Sequence, residues 1–155
     1  MIIMYTDGAA KGNPGPGGYG TVLKAKVNGK LLRRELSGGF RKTTNNRMEL
    51  LAVIKGLEAL RNPNSQVIIY SDSKYVVEAI EKGWVWNWEK KDFAKKANAD
   101  LWKRLIPLYR KHRVELRWVK GHAGIPENER CDQLAVAAAE EPGLGPDIEY
   151  EKSVS

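Results

Sequence analysis

Between Leu36 and Leu50 the hydrophobic pattern of this chain changes period, and that change limits the folds open to it. Before it, the apolar runs are strand-like. Residues 1–6 are apolar, β-branched or aromatic and predict a short buried strand ending at Asp7. Gly8 to Gly20 holds six glycines and two prolines, a turn-rich stretch. Tyr19–Val27 and Lys30–Leu36 flank Asn28-Gly29, the strongest short hairpin signal. The first three strands are therefore expected to form an antiparallel meander. After the change, Leu50, Val53, Ile54, Leu57 and Leu60 recur with a helical period, and Asn62-Pro63-Asn64 ends that helix. Gln66–Tyr70 is a compact apolar strand, followed by a helix from Ser73 to about Lys82. Trp84–Ala97 mixes tryptophans with lysines. Asp100–Lys111 reads as another helix, with Pro107 an internal blemish. Val114, Leu116 and Trp118 alternate with Glu115 and Arg117, a half-buried strand. Pro126 suits the first position of a final helix, with Glu127 and Glu129 favourable in its first turn.

The element order is thus β β β α β α α β α. Hairpin strands followed by crossovers give an α/β fold, a five-stranded mixed sheet with helices on both faces. Right-handed crossovers put the fourth strand beside the first and the fifth beyond it, the order 3-2-1-4-5. Asp7 and Asp72 then fall at the same ends of adjacent parallel strands. The run Pro142-Gly143-Leu144-Gly145-Pro146 breaks structure. The expected organisation is one domain over 1–141 and a flexible acidic tail over 142–155.

Charge bears on the partner. The net charge is +7, but Glu140–Ser155 holds five acids and one lysine, so residues 1–139 carry +11. A basic body implies a polyanion, most often nucleic acid, unless the charge only solvates the surface. No apolar run approaches the roughly 18 residues that span a bilayer, and no membrane partner is expected. Met1-Ile2-Ile3-Met4 lacks the charged start of a signal peptide. A single cysteine, Cys131, excludes an internal disulfide and fits a cytoplasmic location.

Four carboxylates stand in four separate segments: Asp7, Glu49, Asp72 and Asp132. Two end strands and two sit early in helices, and ligands of open α/β sheets gather at the carboxyl ends of strands. Converging carboxylates repel unless a cation neutralises them, and Mg²⁺ favours a few carboxylates plus substrate phosphates. Phosphoryl-transfer chemistry on a nucleic acid is the first hypothesis. Each residue also has a local alternative. Asp7 could form a turn with Gly8. Glu49 could close a capping box headed by Asn46. Asp72 could cap the next helix. Asp132 could complement a helix dipole.

Longer motifs surround these residues. They are Thr6-Asp7-Gly8, Gly12-Asn13-Pro14-Gly15-Pro16-Gly17-Gly18-Tyr19-Gly20, Thr43-Thr44-Asn45-Asn46-Arg47-Met48-Glu49-Leu50, Ser71-Asp72-Ser73, Trp118-Val119-Lys120-Gly121-His122-Ala123-Gly124 and Pro126-Glu127-Asn128-Glu129-Arg130-Cys131-Asp132. From residue 1 to about 141 the chain resembles bacterial ribonuclease H of type 1. The resemblance implies a monomeric endonuclease that cuts the RNA strand of an RNA–DNA hybrid duplex and leaves 5′-phosphate and 3′-hydroxyl ends. It implies two Mg²⁺ per site, with Mn²⁺ as a substitute. Asp7, Glu49 and Asp72 would be the central ligands, and Asp132 would complete the site of the water-activating metal. His122 would shuttle protons from a glycine-flanked loop, a task suited to histidine. A solvated surface histidine is the plain alternative.

For the substrate, the resemblance puts backbone around Gly8 to Ala10 and the Glu49 carboxylate on 2′-hydroxyls. Asn13, Asn45 and Asn46 would reach the minor groove or sugars, and Asn13, Lys42 and Thr44 a DNA-strand phosphate. Turn and cap chemistry is the alternative for the asparagines. Trp84, Trp86 and Trp88 precede Lys90, Lys91, Lys95 and Lys96 and resemble the family's basic substrate handle. Trp84 and Trp88, four apart, could instead pack on the core. Two departures stand out: this segment is short for the family, and Lys74 replaces the usual glutamine as a groove contact. A non-catalytic hybrid-binding domain is disfavoured by the intact carboxylate set. A resolvase or integrase core is disfavoured by the long asparagine and glycine motifs.

Overall fold

The computed structural model describes residues 1–121 and 124–155. Its elements are β1 (Ile2–Ala10), β2 (Gly15–Val27), β3 (Lys30–Thr43), α1 (Asn45–Glu58), β4 (Gln66–Ser71), α2 (Lys74–Glu81), α3 (Trp84–Lys90), α4 (Ala99–Lys111), β5 (Arg113–Trp118), α5 (Pro126–Glu140) and α6 (Ile148–Val154). The sheet has the expected order β3-β2-β1-β4-β5. β1, β2 and β3 pair antiparallel; β4 joins β1, and β5 joins β4, in parallel.

Helices cover both faces. Helix α1 packs on β1, β2 and α4, whereas α5 packs on β1, β2 and β3. The helical stripe Leu50, Val53, Ile54 and Leu57 is buried, together with Met4, Val67, Ile69, Val76, Trp102 and Leu105. Helix α4 runs on through Pro107. No helix among the described residues is long and apolar enough to cross a membrane.

The glycine-rich stretch differs from the turn-rich reading. Only residues 11–14 turn there; the rest extends β1 and β2. Two of its glycines serve packing instead. A side chain on Gly18 would collide with the Ala135 carbonyl, and one on Gly20 with the Cys131 carbonyl. Both positions admit only glycine because α5 lies directly on the strand backbone.

The segment expected to be a loose tail is docked. Helix α6 ends the chain, and the Arg41 amide donates to the Gly145 carbonyl at 2.9 Å. Asp147 is buried and accepts hydrogen bonds from Thr43 and Arg47. A buried carboxylate needs such partners, and they lie far away in sequence, where local composition carries no sign of them.

Candidate active site

Thr6 of β1 pairs with Ser71 of β4, and both are fully buried. The next residues, Asp7 and Asp72, therefore emerge side by side at the same end of the sheet. Glu49 arrives from the second turn of α1. The helix can come this close because position 8 carries no side chain: a Cβ on Gly8 would sit 2.5 Å from the Glu49 nitrogen. One oxygen from each of Asp7, Glu49 and Asp72 lies within 4.8 Å of the others. Asp132 of α5 lines the same cleft beside Asp7 and Asp72 but stands outside that tight group.

The local alternatives do not account for these residues. Asp7 and Gly8 lie inside β1, not in a turn. Thr44 caps α1, its hydroxyl accepting from the Arg47 amide at 3.2 Å. Glu49 is thus too far along the helix to close a capping box. Ser73, not Asp72, caps α2, accepting from the Val76 amide at 3.2 Å. Asp132 is beyond the first turn of α5.

The electrostatics are those of an uncompensated cluster. Burial, then the Asp72 charge, pushes the Asp7 carboxyl up to about 7, against a hydrogen bond from the Gly8 amide at 2.9 Å. Glu49, 8% exposed, is raised well above the usual carboxylate range by burial, then by Asp7 and Asp72. Glu49 Oε2 and Asp72 Oδ1 are buried acceptors without a hydrogen-bond partner. Orphaned acceptors among like charges are costly unless a cation meets them. Oxygen donors of this kind fit a hard divalent ion. These four residues could hold such ions.

The hybrid-contact candidates divide into three groups. Asn13, Thr44, Asn45 and Asn46 cluster where the β1–β2 turn meets α1: Asn45 accepts from the Ala10 amide at 2.6 Å, and Asn13 from the Asn45 amide at 2.9 Å. Lys42 is exposed nearby on β3. Gly8, Asn45, Asn46 and Lys74 line the carboxylate cleft. The Lys74 ammonium lies 4.9 Å from the ring centre of Trp118, whose indole N–H donates to the Asp72 carbonyl at 3.1 Å. The third group, on α3 and after it, does not line this cleft. Trp84 is 44% exposed, and Lys90 and Lys91 are exposed. Trp88 packs edge-on against Trp102 with ring centres 5.8 Å apart, so it belongs to the core side. His122 lies outside the described residues.

Lys120 and Asn128, assigned no role of their own from sequence, also line the cleft, and Trp118 borders it through its hydrogen bond to the Asp72 carbonyl. Asn128 carries a buried Oδ1 without a partner. Its signal was the spacing of four from Asp132 on one helix face.

The family model for RNase H matches residues 1–140. A ribonuclease H of Desulforamulus reducens is 57% identical over 152 residues, covering 95% of this chain and 92% of that protein. A ribonuclease H of Trichodesmium erythraeum is 52% identical over 157 residues, covering 97% and 96%. Among solved structures, LC9-RNase H1, a type 1 RNase H with the type 2 active-site motif, is similar at 31% identity. It aligns with a TM-score of 0.79 over 99% of this chain and 81% of that one.

Proposed function

The chain belongs to the ribonuclease H family, and on that premise we propose that it hydrolyses the RNA strand of RNA–DNA hybrids in the carboxylate cleft. The products are a 5′-phosphate and a 3′-hydroxyl. The observation that carries this reading is the orphaned pair Glu49 Oε2 and Asp72 Oδ1, within a trio of carboxylates whose oxygens approach to 4.8 Å. Asp7, Glu49 and Asp72 would hold the metal, Mg²⁺ by the hardness of its ligands, and Asp132 would complete the set. Two bound Mg²⁺ would supply an activated water for in-line attack and stabilisation of the departing 3′ oxygen.

The chain's own residues do the rest. Asp7 and Glu49 are fixed on β1 and α1, and Asp72 directly follows β4, so the site needs little rearrangement to receive a phosphodiester. Backbone around Gly8 and the Glu49 carboxylate read the 2′-hydroxyl, the group that separates RNA from DNA. Asn13, Asn45 and Asn46 hold sugars and base edges, while Lys42 and Thr44 hold the DNA strand's phosphate. Lys74 adds a positive charge at the rim. His122 carries the proton to or from the reacting oxygen. Trp84, Lys90 and Lys91 extend the binding surface along the duplex, and the basic body speeds encounter.

Characterisation of the product ends tests this. A hybrid with labelled RNA should give 5′-phosphate ends with Mg²⁺ and no cleavage with a chelator. Fragments ending in a 2′,3′-cyclic phosphate would show attack by the RNA's own hydroxyl and would sink the reading.

A further inference from the structure

Arg47 precedes Glu49 by two residues and is only 4% exposed. Its guanidinium places all five N–H groups. Nε donates to Asp147 Oδ2 at 2.8 Å and Nη2 to Asp147 Oδ1 at 3.0 Å. Nη2 also donates to Asp100 Oδ2 at 2.7 Å, and Nη1 to Asp100 Oδ1 at 2.8 Å and Asn98 Oδ1 at 3.4 Å. Asp147, 7% exposed, takes a further hydrogen bond from the Thr43 hydroxyl at 2.7 Å. Thr43 and Arg47 bracket Thr44-Asn45-Asn46. A single carboxylate from the C-terminal segment therefore grips both ends of that run. Beyond it, Glu149, Tyr150 and Ser153 of α6 line a groove of about 600 Å³ together with Asn13, Thr44 and Asn46.

We infer that Asp147 is a positioning residue for hybrid binding: through Arg47 and Thr43, the C-terminal segment holds the Thr44–Asn46 turn in the geometry that the duplex meets. This rests on the role proposed above for that turn. A buried ion pair is a poor source of net stability, but a planar, doubly bidentate one fixes geometry. The inner side of the turn is held by single bonds between neutral groups, from the Ala10 and Asn45 amides. Asp100 also holds Arg47, but Asp147 joins Arg47 to Thr43 and so ties the two ends of the run together.

Steady-state cleavage of a hybrid with Mg²⁺ tests the inference on Asp147→Asn, Asp147→Glu and the isosteric Thr43→Val. Loosening the turn should raise KM about three- to tenfold, the size of one typical net hydrogen bond, with kcat near wild type, since only binding is affected. Asp147→Glu, which keeps the charge, should bring KM back toward wild type. Circular dichroism checks folding; if Asp147→Asn does not fold, Thr43→Val decides alone. Folded variants with the wild-type KM would reduce Asp147 to a structural brace and overturn the inference. A lower KM would overturn it too, since the acidic segment would then compete with the duplex. Wild-type protein that leaves the hybrid intact would overturn this inference and the proposed function together; wild-type cleavage with an unmoved KM overturns the inference alone.

Discussion

Asp7 sits largely out of water between two other carboxylates, and its stability effect has a definite sign. Its pKa in the fold, about 7, exceeds the value near 4 of an unfolded aspartate. Its contribution is therefore complete below about pH 4 and is lost as pH rises through about 7. Asp7→Asn removes that loss. Without metal, the variant should be more stable than wild type at pH 8, by on the order of 4 kcal/mol at most, and the gap should close near pH 4. A metal-free Asp7→Asn that is less stable than wild type at pH 8 would contradict the crowding of charge described here. With Mg²⁺ the same substitution should remove nearly all cleavage, because a proposed metal ligand is gone. His122→Ala should be slowed by about 10²–10⁴-fold, the usual share of a general acid or base, and keep its metal affinity. Wild-type turnover in His122→Ala would remove it from the proposed proton path.

At the scale of elements, α5 carries Asp132 to the cleft and owes its height above the sheet to Gly18 and Gly20. Gly20 pairs with Asp7 across β1 and β2 and faces the Cys131 carbonyl, one residue before Asp132. Gly20→Ala should cost about 1–3 kcal/mol by overpacking and lower turnover by displacing Asp132. A thermal melt and a rate at saturating hybrid measure the two effects; unchanged values for both would show that α5 does not need this approach. Helix α3 is anchored by Val85, by Trp86 against Tyr109 and by Trp88 against Trp102, which leaves Lys90 and Lys91 in solvent. Lys90→Ala with Lys91→Ala should raise KM and spare kcat. It should also flatten the salt dependence of binding by about 0.9 for each phosphate no longer neutralised, if the hybrid behaves as B-DNA. A fall in kcat at unchanged KM would instead tie α3 to the reacting centre.

For the whole molecule, long-range order was legible where local pattern determines topology. A hairpin signal at Asn28-Gly29, a change of period and right-handed crossovers suffice for the strand order, and they bring Asp7 beside Asp72. Glu49 and Asp132 were visible as candidates, but only tertiary packing shows that Glu49 reaches the trio and that Asp132 stands apart from it. Other features escaped for physical reasons. Glycine in Gly8–Gly20 serves close helix approach, and glycine looks the same in a turn. Helix α3 has seven residues and too short an apolar period to read. The docked C-terminal segment depends on Asp147 meeting Arg47 across 100 residues, under a Pro-Gly run that locally signals a break. Docking also pins part of the segment's negative charge on Arg41 and Arg47 rather than leaving it free to screen the basic body. This basic body is proposed to present a hybrid to a metal-dependent carboxylate site. One gel assay tests it directly, with the same sequence as RNA–DNA hybrid, RNA–RNA, DNA–DNA and single strands, with and without Mg²⁺. The expected result is cleavage of the RNA strand in the hybrid alone, only with Mg²⁺, and none by Asp72→Asn. Equal cutting of RNA–RNA or single-stranded RNA, or cutting of the hybrid by folded Asp72→Asn, would contradict it.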